Sequence, residues 1–151
     1  AAYRLRTMYG EIICDGNHST YAALNNFFMS KGPDYSIMIS DALMAKGTPV
    51  GSKHIFGGNE IVIYPDGSAH LTSTGGLAGS TLNINKGLRI LVEKALIPFN
   101  YAINACTINP ARCLGVDDRK GSLQVGKDAD IVVLNDDYSV VQTYCKGKAQ
   151  L

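Results

Sequence analysis

The sequence predicts an α/β fold, on three observations. Residues 11–14 (EIIC) and 36–40 (SIMIS) are short apolar runs without alternation, as strands buried on both faces of a parallel sheet read. Between them, residues 21–31 carry Leu24, Phe27 and Phe28 at helical spacing until Gly32 and Pro33 end the helix. Strand, helix, strand is the smallest unit of a parallel sheet. The third observation is a break in this rhythm. Residues 61–64, the turn Pro65-Asp66-Gly67 and residues 69–72 spell a β-hairpin, expected as an insertion.

Beyond a glycine-rich stretch at 75–79 (GGLAG), Ser80 is placed to cap a helix with Leu88, Leu91, Val92 and Ala95 on one face. Residues 100–107 suggest a second helix, and Asn109 with Pro110 offers a third helix a cap and a first-turn proline. The character changes at Gly121. Gly126-Lys127-Asp128 precedes residues 131–134, and residues 140–145 follow before Lys146-Gly147, a β segment from a different layer.

Composition narrows the function classes. With 46% hydrophobic and 18% charged residues in 151, the chain has the makings of a real core rather than a disordered tail. Lys and Arg number 14 against 13 Asp and Glu with no cluster of either sign, which excludes an electrostatic footprint for nucleic acid or an anionic membrane. Cys14, Cys106, Cys113 and Cys145 form no C-x-x-C pair, so free thiols in a reducing cytoplasm are expected. No apolar run approaches the roughly 18 residues of a membrane span, and the order of a signal peptide is missing, so a soluble, unsecreted protein is expected.

Asp41 ends an apolar strand, where parallel-sheet enzymes place catalytic groups, and a carboxylate there can relay a proton between water and a leaving amine. The same position also suits a cap on the following turn. His18 sits just beyond the first strand beside Asp15, so its side chain either converges with Asp41 on one mouth or is simply a satisfied polar residue. His54 and His70 fall in the hairpin region without partners at metal spacing. Three histidines so scattered, with no H-x-H and no H-E-x-x-H, do not supply the first shell of a catalytic metal. The loop at 75–79 lets backbone N–H groups approach a ligand and is placed to lead into a helix N-terminus.

Ile13-Cys14-Asp15-Gly16-Asn17-His18, Ile39-Ser40-Asp41-Ala42, Gly76-Leu77-Ala78-Gly79-Ser80-Thr81, Asn109-Pro110-Ala111-Arg112, Lys120-Gly121-Ser122-Leu123 and Gly126-Lys127-Asp128-Ala129-Asp130-Ile131, in this order, resemble the N-acetylglucosamine-6-phosphate deacetylases of the amidohydrolase superfamily. The last two elements occur across the superfamily, and the first three narrow it.

The resemblance implies a metal-dependent (β/α)8 barrel with a small β-sandwich. Residues 1–119 would be the C-terminal part of the barrel with an inserted β-hairpin, and residues 120–151 a C-terminal piece of the sandwich. It implies hydrolysis of N-acetylglucosamine 6-phosphate to glucosamine 6-phosphate and acetate, with Asp41 as the proton shuttle. Asp15, Gly16, Asn17, His18, Leu77, Ala78 and Gly79 would contact the phosphorylated amino sugar. A divalent metal, zinc or iron, is implied for the intact enzyme, a cytoplasmic homodimer. Its main ligands would lie on earlier strands with no match here, so the isolated chain is expected to be inactive. The alternatives are another amidohydrolase acting on a different amide or cyclic amide, and a non-catalytic module.

Overall fold

The computed structural model describes residues 3–150, so the first two residues of the 1–119 unit and the last of the 120–151 unit lie outside it. Strand β1 (Gly10–Ile13) pairs in parallel with β2 (Ser36–Ile39), in register from Gly10 opposite Ser36 to Ile13 opposite Ile39. The two strands therefore end side by side. Helix α1 (Tyr21–Lys31) makes the crossover between them. It starts on Thr20, whose Oγ1 accepts from the Ala23 N–H at 3.2 Å, and ends at Gly32, whose N–H closes the last turn on the Phe28 carbonyl and whose positive φ of 73° turns the chain out of the helix. Leu24, Phe27 and Phe28 turn inward as their spacing predicts. Close approach has a cause: a Cβ on Gly10 would stand 2.8 Å from the Phe27 ring. Lys31, also buried, donates from its ammonium to the carbonyls of Leu5 and Met8 and pins the entry segment.

The expectation of two strands buried throughout holds for β2 and fails for β1. Ser36, Ile37 and Met38 are buried, whereas Glu11 is exposed and Ile12 and Ile13 are only half-buried. Helices α1, α2 (Ile84–Arg89), α3 (Phe99–Cys106) and α4 (Ile108–Cys113) all touch β2, and none of them covers β1 to the same degree.

The hairpin is larger than expected. It is a three-stranded antiparallel meander, β3 (Lys53–Phe56), β4 (Asn59–Ile63) and β5 (Ala69–Leu71), with a small core of Leu43, Ala45, Ile61, Ile63 and Ala69. Strand β3 joins β4 through Gly57 and Gly58, both at positive φ, the two-residue hairpin turn that a Gly-Gly pair favours.

The helical region also departs from expectation. Ser80 caps nothing: α2 begins four residues later with Asn83 ahead of it. The expected helix continues as a π-helical turn, Ile90–Lys94, closed by the Ala95 N–H on the Ile90 carbonyl, with Asn25 of α1 capping the Ala95 carbonyl at 2.8 Å. Asn109 is no cap either, since α4 starts at Ile108. Pro110 does fall in the first turn, where its missing N–H costs nothing. Asn109 is fully buried, and its amide donates to the carbonyls of Pro33 at 2.8 Å and Ser36 at 2.9 Å, tying α4 to the start of β2.

The tail forms a second antiparallel meander of β6 (Ile131–Leu134), β7 (Val140–Cys145) and β8 (Lys148–Gln150). Leu134 and Tyr138 pack on the main core, and Asn85 of α2 donates to the Tyr138 carbonyl at 3.0 Å.

Replacing Asn109 with Ala should take a donor from the buried Ser36 carbonyl and leave the Pro33 carbonyl only Asn104, at 3.4 Å. A loss of about 1–3 kcal/mol is expected, read as a lower urea midpoint at unchanged slope.

Candidate active site

Because Ile13 and Ile39 are register partners, Asp15 and Asp41 each follow their strand by two residues at the same edge of the sheet. The turn after β1 is organised by the Asp15 carboxylate. One oxygen accepts the N–H of Asn17 at 2.9 Å and of His18 at 3.0 Å, and the other meets His18 Nδ1 at 2.7 Å. Gly16 takes the left-handed φ of 83° that this turn needs, and a Cβ there would lie 2.8 Å from the Tyr21 ring. Burial raises the Asp15 pKa, but the hydrogen bonds from His18 and Asn17 outweigh it and hold the carboxyl below its ordinary value. With Nδ1 donating to Asp15, the His18 ring is fixed in orientation and Nε2 is left without a protein partner among the described residues.

Asp41 is exposed, with φ at 47°, in the left-handed region that costs a non-glycine residue roughly 1–2 kcal/mol. Among the described residues its carboxylate makes no hydrogen bond or ion pair. The Leu43 N–H, two residues on, which a capping Asp41 side chain would take, goes to the Ser80 carbonyl at 2.8 Å. The capping reading is thereby set aside. Asp41 and His18 are brought to one edge, and no hydrogen bond joins them.

The glycine-rich loop does not lead into a helix N-terminus. It runs antiparallel to β5, with the Leu71 N–H on the Gly76 carbonyl at 2.8 Å and the Ala78 N–H on the Ala69 carbonyl at 2.9 Å, and His70 faces Leu77. Ser80 then crosses to the strand end, donating its N–H to the Asp41 carbonyl at 2.8 Å. The loop therefore lies against Asp41. The N–H groups of Leu77 and Gly79 have no protein acceptor among the described residues. Sequence reasoning missed this connection: a serine ahead of an apolar helix carries the same local signal whether it caps that helix or bonds elsewhere.

The remaining candidates are accounted for structurally. His54 Nε2 lies 3.1 Å from Thr48 Oγ1 and 3.0 Å from Ser52 Oγ, and His70 stacks on Tyr64 with Nδ1 2.7 Å from the Gly75 carbonyl. All four cysteines are free thiols, and burial pushes Cys14 far up and Cys106 up to about 12, which disfavours the thiolate at both. Among the described residues no three His, Cys, Asp or Glu side chains group to hold a metal ion, and no helix is long and apolar enough to cross a membrane.

The model of the amidohydrolase family matches residues 38–149. The chain belongs to the amidohydrolase family. It is 40% identical over 137 residues to a Bacillus subtilis protein named N-acetylglucosamine-6-phosphate deacetylase, covering 91% of this chain and 34% of that one. An Escherichia coli K12 protein named putative N-acetylgalactosamine-6-phosphate deacetylase is 36% identical over 138 residues, covering 91% of this chain and 80% of that one. Among solved structures, a mutant N-acetyl-D-glucosamine-6-phosphate deacetylase from Mycobacterium smegmatis, in complex with N-acetyl-D-glucosamine-6-phosphate, superposes with a TM-score of 0.90 at 28% identity, over 98% of this chain and 39% of that one. The chain thus spans about a third of the Bacillus subtilis relative's length, and the α/β arrangement is that of an amidohydrolase.

The lowered Asp15 pKa has a definite sign. A carboxyl depressed on folding adds stability that is present above its unfolded pKa and disappears as pH falls through the folded value. Asp15→Ala should cost about 1–2 kcal/mol at pH 7. In melts at stepwise lower pH, the gap from wild type should narrow below about pH 4, the unfolded carboxylate range.

Proposed function

We propose that the intact enzyme containing this chain hydrolyses the N-acetyl group of N-acetylglucosamine 6-phosphate, giving glucosamine 6-phosphate and acetate. The observation carrying this reading is the unbonded Asp41 carboxylate at the C-terminal end of a parallel strand, at the same sheet edge as the oriented His18 and next to the loop with the open N–H groups of Leu77 and Gly79. The names of the relatives supply the substrate class.

In this mechanism Asp41 accepts a proton from the attacking water as the C–O bond forms. It returns that proton to the amide nitrogen as the C–N bond breaks, so acetate and a free amine leave and Asp41 is again ionised. Asp15, Gly16 and Asn17 shape the turn that presents His18 Nε2 to the phosphorylated sugar. Leu77, Ala78 and Gly79 line the opposite side, with backbone donors for substrate oxygens.

The divalent metal that the resemblance implies, zinc or iron, finds no donor set among the described residues. The proton movements above belong to this chain's own groups. The same reading has residues 1–119 completing a (β/α)8 barrel and residues 120–151 a β-sandwich, in a cytoplasmic enzyme that forms a homodimer. Four free thiols fit a reducing compartment. A second substrate, the C4 epimer N-acetylgalactosamine 6-phosphate, is favoured by the name of the Escherichia coli relative.

Assays of the intact enzyme on both epimers and on the unphosphorylated sugar test the substrate. Turnover of neither phosphorylated sugar would remove the proposal. Asp41→Asn should lower kcat by roughly 10²–10⁴-fold with binding nearly unchanged, because asparagine keeps the shape but accepts no proton. A kcat within tenfold of wild type would sink the mechanism. His18→Ala should act mainly on KM, with some loss of kcat where binding energy positions the amide.

A further inference from the structure

Ser80 uses every polar atom it has, and most of them act on the segment that carries Asp41. Its N–H donates to the Asp41 carbonyl at 2.8 Å, and its own carbonyl accepts the Leu43 N–H at 2.8 Å. The hydroxyl donates to the Ser40 carbonyl while accepting the Leu82 N–H at 3.1 Å. Ser80 as a residue is 1% exposed, so water does not compete for these bonds. Asp41 is thus held on both sides: Ser40 is gripped by the hydroxyl, and Asp41 and Leu43 by the backbone.

The grip coincides with the one unusual backbone feature of the strand end, the left-handed φ of 47° at Asp41. Such a conformation persists at a non-glycine residue only when its surroundings over-determine it. The residue before Ser80 completes the fit. Gly79 is itself left-handed at 61°, and a Cβ there would meet Leu43 Cδ2 at 2.7 Å and the Asp41 carbonyl at 3.2 Å, so the loop reaches the strand end only without a side chain.

We propose that Ser80 is a positioning residue that latches Asp41 in its left-handed conformation and sets the substrate loop and the catalytic carboxylate as one unit. The kinetic side of this proposal rests on the reading of Asp41 as the proton acceptor; the conformational side does not. Losing the hydroxyl frees the Ser40 carbonyl and lets the peptide before Asp41 rotate, which re-aims the carboxylate. Substrate contacts through the turn at Asp15 to His18 stay in place.

The test is Ser80→Ala in the intact enzyme, with crystallographic φ at Asp41 and steady-state kinetics measured together. Expected are an Asp41 φ that leaves the positive region or splits between conformers, and a kcat lowered roughly 10–100-fold with KM within about twofold. Ser80→Cys, close in size but a weak donor, should fall between Ala and wild type, and it carries the same criteria where the alanine variant does not fold. An unchanged positive φ at Asp41 would overturn the latch. So would an altered φ with wild-type kcat, or a loss confined to KM. Should wild-type enzyme lack deacetylase turnover, the functional reading fails and the latch is decided by Asp41 φ alone.

Discussion

Parallel pairing of two strands joined by a helix is the constraint from which the rest follows. Two adjacent strands running the same way must be linked by a crossover that returns the chain to its starting edge, and α1 does this in 11 residues. Parallel register also puts both exits on one side. The turn carrying Asp15 and His18 and the turn carrying Asp41 then face the same solvent without any further device. An antiparallel pairing of the same segments would have placed them at opposite ends. The shape of this edge therefore depends on Leu24, Phe27 and Phe28 packing α1 against the sheet, far more than on any contact between the polar residues themselves.

Much of this arrangement was legible in the chain, and the illegible parts share a physical character. Helix α1 was readable to the residue because the apolar spacing and the Gly32-Pro33 stop agree. The paired strands were readable because their runs are uninterrupted. Strand β3 escaped because Lys53, His54, Ile55 and Phe56 show no clean alternation, although the Gly57-Gly58 turn was a usable signal. Strand β8 escaped for the same reason, and again a turn betrays it. Lys146 and Gly147 both take positive φ, folding Lys148–Gln150 back on β7.

Long-range polar bonds were beyond reach of any local pattern. Ser80 and Asn109 stand where a cap is the natural local reading, since each is a short polar residue just ahead of an apolar stretch. Their side chains instead satisfy carbonyls about 40 and 70 residues away, on Ser40 and on Pro33 and Ser36. A buried carbonyl without a partner costs more than an imperfect helix start, so tertiary demand prevails over the local preference. The candidate site was found by position at strand ends; what holds it in shape was not.

Burial along the sheet also bears on the proposed barrel. Parallel strands occur almost only where both faces are covered, because their apolar side chains otherwise face water. Strand β2 meets that condition, under four helices. Strand β1 does not: Glu11 is exposed, Ile12 and Ile13 are half-open, and only its β2 side is hydrogen-bonded among the described residues. The tail sheet is similarly uncovered, with Val132, Val133, Val140 and Val141 all exposed. Exposed valines on strands that pair well are apolar surface that a further packing layer could cover. Both open faces argue for neighbours of the kind a closed barrel and a second sheet would supply. The site at the strand ends would then be deepened by strands beside β1, which would shield Asp41 and His18 from bulk water and strengthen their electrostatic work.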